Sequence, residues 1–157
     1  MTLGQHIIAS GITSAYYAYV SRSWTAAAIC FLSGVLIDLD HWVDYCWTKK
    51  KICWSLKELE DYCYHGNKED KIYLFFHSYE LLLVLWAAAF LFLNDPVWIG
   101  LVFGMTVHIL LDQIFNGVYP WAYFWFYRAR HGFPHKIFFK EIFERDILRI
   151  SNETSKI

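Results

Sequence analysis

Eight ionisable residues of this chain stand inside or at the ends of apolar stretches: His6, Asp38, Asp40, His41, His77, Glu80, His108 and Asp112. Such groups are costly in an apolar setting unless they meet a partner or a cavity, so their placement points to a site. Their spacing sharpens this, because residues three or four apart share a helix face. Asp38 and His41 are three apart, His77 and Glu80 three, and His108 and Asp112 four, so each pair can offer two ligands to one ion. Imidazoles and carboxylates together suit zinc, manganese or iron, and a divalent ion so held activates water for hydrolysis. The expected ligands are His6, Asp38, His41, His77, Glu80, His108 and Asp112. That is more than one tetrahedral zinc needs, so one to three divalent ions are expected, zinc first, with manganese or iron compatible. Asp40 falls on roughly the opposite side of the helix from Asp38 and is expected behind the ligands; Asp40 and Glu80 are the candidates to orient water or shuttle its proton.

Blander readings stand beside these. His6 also suits an interfacial histidine, Glu80 a buried partner for a lysine, and Asp44 a solvated helix end. His65, His131 and His135 lie outside the apolar segments and are expected not to bind metal, and the intramembrane groups can also pair with one another without an ion.

The elements that must position these residues follow from the apolar runs. A membrane crossing takes roughly 20 helical residues, and segments 3–20, 24–43, 72–93 and 97–115 have that length. The expected fold is all-α: a polytopic membrane four-helix bundle with an interfacial C-terminal helix, although the first segment, diluted by serines and tyrosines, also suits a buried soluble helix. Short links at Ser21 to Ser23 and Asn94 to Pro96 make each pair of helices antiparallel. Lysines crowd residues 44–71, and Arg128, Arg130, Lys136, Lys140, Arg145 and Arg149 follow the fourth segment, against a lone Arg22 in the opposite hairpins. The positive-inside rule puts the loop and both termini in the cytoplasm, under a cell (inner) membrane crossed several times. All the ionisable ends then lie at one cytoplasmic level. Two stripes, Ala27–Cys30–Gly34–Asp38–His41 and Gly100–Gly104–His108–Asp112, carry small residues that let helices approach closely.

Residues 118–127 are too short to span and dense in Trp and Tyr, which favour the headgroup level. From Pro134 onward apolar residues recur at helical spacing to about residue 150, as in an amphipathic interfacial helix. Arg128 and Arg130, just after the aromatic stretch, are candidates to grip a lipid phosphate, ordinary charge anchoring being the alternative.

Composition agrees with a membrane setting. A single domain of 157 residues, 57% hydrophobic and 20% aromatic, has more apolar surface than a small core can hide. A net charge of -1 gives no reason to expect nucleic acid. Cys30, Cys46, Cys53 and Cys63 show no disulfide framework and, with His65, match no common zinc spacing, so reduced thiols are expected. The start of the chain lacks a signal-peptide pattern and is expected to be retained.

In the ordered set His6, Asp38-Leu39-Asp40-His41, His77-Ser78-x-Glu80 and His108-x-x-x-Asp112, the chain resembles the membrane-bound metal-dependent hydrolases of bacteria and archaea. More distantly, the His108–Asp112 pair is similar to one in zinc-dependent phospholipase C enzymes, where the Asp bridges ions. The resemblance implies hydrolysis of a phosphoester, with membrane lipid or a small amphiphile as substrate reached from the inner leaflet. A metal or proton transporter and a non-catalytic membrane scaffold are the rival expectations.

Overall fold

A computed structural model describes residues 2–65 and 71–134, without the side chains of residues 60, 64 and 65. The side chain of His65, all of His135 and the amphipathic stretch expected beyond Pro134 thus lie outside what it describes. Among the described residues the fold is all-helical, with one isolated bridge between Lys71 and Pro134.

Local chemistry fixes the helix ends. Helix α1 (Leu3–Ser21) opens with a reciprocal capping box: Thr2 Oγ1 accepts from Gln5 N while Gln5 Oε1 accepts from Thr2 N. It stops at Arg22 in the left-handed region, and Ser23 caps helix α2 (Trp24–Leu36) by accepting from Ala26 N. The second hairpin is built alike. A π turn (Ala89–Leu93) extends α5 (Tyr79–Ala88), Asn94 takes a positive φ, and Asp95 with Pro96 starts α6 (Pro96–Phe115). Tyr17 Oη donates to Pro96 O at 2.7 Å, joining the two hairpins.

Helix α2 lies against both α1 and α6, and the small residues set its distance from α6. A Cβ on Gly104 would stand 2.2 Å from Cys30 O and 2.4 Å from Ser33 Oγ; one on Gly100 would stand 2.7 Å from Ala26 O. The two backbones are therefore in contact, as in tightly packed membrane helices. Outward, Ile8, Ile12, Leu83, Leu91 and Phe92 are exposed. Two helical stretches, Trp24–Lys49 and Pro96–Phe115, are long and apolar enough to cross a membrane, and Tyr79–Leu93 is a shorter apolar helix.

Two segments depart from expectation. The helix expected over 24–43 is broken at Ile37 and Asp38, and a separate α3 (Leu39–Lys49) carries it into the region expected as loop, which also holds α4 (Leu56–His65). The helix expected over 72–93 starts only at Tyr79, because Ser78 is extended and its Oγ accepts from Leu81 N as an N-cap. His77 therefore precedes the helix, and the shared helical face expected for His77 and Glu80 does not exist. The aromatic stretch folds as a 3₁₀ turn (Pro120–Tyr123) followed by a short α7 (Trp125–Arg130).

Substituting Gly104→Ala forces α2 and α6 apart and is expected to cost about 1–3 kcal/mol. Gly11→Ala, with open space around the added carbon, is expected to be neutral or to stabilise by up to about 1 kcal/mol from helix propensity. Thermal unfolding of both variants in detergent checks the opposite signs.

Candidate metal centre

The break between α2 and α3 creates the first half of the site. Up to Ile37 the hydrogen bonds are helical, Ile37 N donating to Ser33 O; the next run i to i−3, from Asp40 N to Ile37 O and from His41 N to Asp38 O. The helical partner of Gly34 O would be residue 38, and at the break that carbonyl accepts instead from His108 Nδ1 at 2.7 Å. A carbonyl only accepts, so Nδ1 carries a proton and Nε2 is turned inward, where it would offer its lone pair to an ion.

The irregular segment 72–78 carries the second half, and charged side chains hold it from two sides. Asp44 Oδ2 accepts from Tyr73 N at 2.9 Å, and Asp40 Oδ2 accepts from Phe76 N at 2.7 Å and His77 N at 3.3 Å. On the carbonyl side Arg128, fully buried, donates through Nη1 to Tyr73 O and Leu74 O and through Nη2 to Leu74 O and His77 O. Burial draws the Arg128 guanidinium down to about 10 against the opposing pull of Asp40, Glu80 and Asp44. It stays cationic at neutral pH. Asp40 Oδ2 also lies 3.4 Å from His77 Nδ1, which fixes that ring with Nε2 pointing at the other carboxylates.

Six of the expected residues meet at this level. Asp38 Oδ1 lies 3.3 Å from His108 Nε2, 3.8 Å from His77 Nε2 and 4.0 Å from His41 Nε2. Asp112 Oδ2 lies 3.3 Å from His108 Nε2 and 3.9 Å from His77 Nε2, while Asp112 Oδ1 is 3.0 Å from His6 Nε2. The His6 and His108 rings stack at 4.0 Å. Two donor groups have metal-ligand spacing: His6, Asp38, His108 and Asp112; and Asp38, His41 and His77. His77 Nε2 and His108 Nε2 are buried and have no hydrogen-bond partner. Buried polar atoms are nearly always satisfied, and these two aim at the same pair of carboxylates. An ion between them would supply that partner, so the residues present fit a divalent metal.

A cavity of about 490 Å³ opens onto the cluster. His6, Asp38, His41, His77 and Asp112 lie on its wall beside Leu36, Leu39, Trp42, Leu56 and Leu59, so most of that wall is apolar. No protein-family model matches the chain, and no curated protein or solved structure shows significant similarity to it.

The other expected residues are placed elsewhere. Glu80 lies outside both donor groups: its oxygens accept from Trp125 N at 2.9 Å and Phe126 N at 3.1 Å, so it caps the start of α7 rather than binding metal or moving a proton. Arg128 is enclosed by carbonyls and does not reach a lipid phosphate; Arg130 is exposed. Asp44 is buried against Tyr73 N, not solvated. His131 is exposed beside Tyr127 O. Two residues were missed. Asn116 Nδ2 donates to Asp112 Oδ1 at 2.6 Å, and its position four residues on from Asp112 is the signal that points to it. Cys63 Sγ lies 3.3 Å from His41 Nδ1, a pairing between residues 22 apart with no local pattern.

Replacing Arg128 with methionine (Arg128→Met) strips donors from three buried carbonyls and leaves two buried carboxylates uncompensated. The expected loss is about 3–5 kcal/mol, against less than about 0.5 kcal/mol for exposed Arg130→Ala. Denaturant titration of the two variants in detergent measures the contrast.

Proposed function

We propose that this chain is an integral-membrane, metal-dependent hydrolase that cleaves a phosphoester in a lipid or amphiphile at the cytoplasmic interface. The observation that carries the reading is the pair of buried, partnerless imidazole nitrogens, His77 Nε2 and His108 Nε2, aimed at Asp38 and Asp112. Divalent ions held by His6, Asp38, His41, His77, His108 and Asp112 supply Lewis acidity and activate water for attack. Zinc fits the mixed imidazole and carboxylate donors best, with manganese or iron as the other candidates.

The protein's own part is orientation. Gly34 O sets the His108 ring, Asp40 sets the His77 ring, and Asn116 holds one oxygen of Asp112 while the other faces the cluster. Asp40 is on this account a positioning residue: its Oδ2 accepts from Phe76 N and His77 N and faces His77 Nδ1. The apolar cavity wall supports a substrate with a hydrocarbon part, since it removes apolar surface from water while the polar end sits at the donors.

The proposed topology has four crossings with both termini inside. It rests on the two spanning stretches, the convergence of donors from α1, the α2–α3 break, the segment before α5 and the end of α6, and the basic residues of the intervening loop and tail. Cysteine-accessibility labelling of intact and inverted vesicles checks it, Arg22 marking the outer hairpin.

Purified protein is expected to carry zinc or manganese and to release a soluble phosphomonoester from a short-chain phospholipid, or phosphate from a phosphomonoester amphiphile. Chelation abolishes turnover and either metal restores it. His108→Ala removes turnover, and Asn116→Ala weakens metal affinity or activity by about 10–100-fold, the usual cost of losing a ligand's outer partner. Metal-loaded protein without turnover of any phosphoester, but with metal flux into proteoliposomes, sinks the hydrolase reading in favour of transport.

A further inference from the structure

We propose that the cluster holds two divalent ions of unequal character that share Asp38, one retained and one exchangeable. The inference rests on the metal-binding reading above and adds a division of labour to it.

The two donor groups differ in number, burial and anchoring. His6, Asp38, His108 and Asp112 make a four-donor position, three of whose side chains are 5% exposed or less. Its rings and carboxylate are set in advance: His108 by Gly34 O, Asp112 by Asn116, and His6 by stacking on His108. Asp38, His41 and His77 make a three-donor position. Of these only His77 is buried and held by a carboxylate; His41 and Asp38 are each 24% exposed in their side chains, on the cavity wall. Behind His41 stands the Cys63 thiol, a weak hydrogen-bonding group carried on α4.

Four donors satisfy a tetrahedral ion, whereas three leave a place for an outside ligand. The four-donor position therefore keeps its ion. The three-donor position releases and rebinds its ion, and the fourth place there takes a phosphate oxygen arriving through the cavity. Asp38 Oδ1 lies 3.3 Å from a nitrogen of the first group and 3.8 Å and 4.0 Å from those of the second, so its carboxylate links the two ions.

The test is titration of metal-free, detergent-solubilised full-length protein with Mn(II), followed by electron paramagnetic resonance. The first equivalent is expected to give the spectrum of an isolated ion. The second is expected to bind at least about tenfold more weakly and to convert that spectrum to a spin-coupled one. Inorganic phosphate should tighten the second equivalent alone. His41→Ala should keep the first equivalent and lose the second, and His6→Ala should weaken the first. Circular dichroism shows whether each variant keeps its helices, and the wild-type titration decides the matter even where a variant unfolds. A single equivalent in the wild type, two of equal affinity, or two uncoupled ions overturns the proposal. Unequal, coupled ions in a protein without hydrolysis leave this inference standing and remove the hydrolase reading; hydrolysis supported by one ion does the reverse.

Discussion

The site depends on satisfying a stretch of backbone that forms neither helix nor strand. Residues 72–78 bring His77 to the other donors only by leaving the helical ladder, and each peptide group so released needs a partner away from water. Asp40 and Asp44 accept its N–H groups, and Arg128 donates to its carbonyls. These charges are close enough to compensate one another, which is why a carboxylate pair and a guanidinium are tolerated in the interior. Glu80 extends the arrangement by capping α7, the helix that delivers Arg128. Four charged side chains around one loop are thus scaffolding, and the donors lie just beyond them.

A second departure from regular structure is equally purposeful. The break at Ile37 and Asp38 re-aims the chain so that Asp38 faces His108 while Asp40, two residues on, faces the loop. In an unbroken helix these two residues also diverge, but Gly34 O would be taken by its own ladder and unable to orient His108. One half of the cluster is therefore built where α2 stops and the other where α5 has not yet begun, and the close contact of α2 with α6 holds Asp38 beside His108.

Much of this was legible because it is local. The Gly100–Gly104–His108–Asp112 stripe gave the face of α6 that meets α2, and the short polar links gave the antiparallel hairpins. The depth shared by His6, Asp38, His41, His77, His108 and Asp112 pointed to their meeting, because placing such groups in apolar stretches is costly. Other features were hidden in non-local contacts. The i, i+3 spacing of His77 and Glu80 reads as a helix face, yet Ser78 between them is itself an N-cap signal, and the cap decides where α5 begins. No Gly or Pro stands between Val35 and Val43, so no local signal marks the break at Ile37 and Asp38. Arg128 looks like any membrane-flanking cation until the fold supplies the carbonyls around it.

The order of these pieces along the chain has a consequence for biosynthesis. His6, Asp38 and His41 emerge first from the ribosome, His77 later, and Asp112 and Arg128 near the end of the described residues. On the proposed topology the early helices would enter the bilayer with their imidazoles and carboxylates unmatched, and the loop at 72–78 has to wait for its guanidinium. An ion at the four-donor position could then be loaded only after α6 is made, since His108 and Asp112 supply two of its donors.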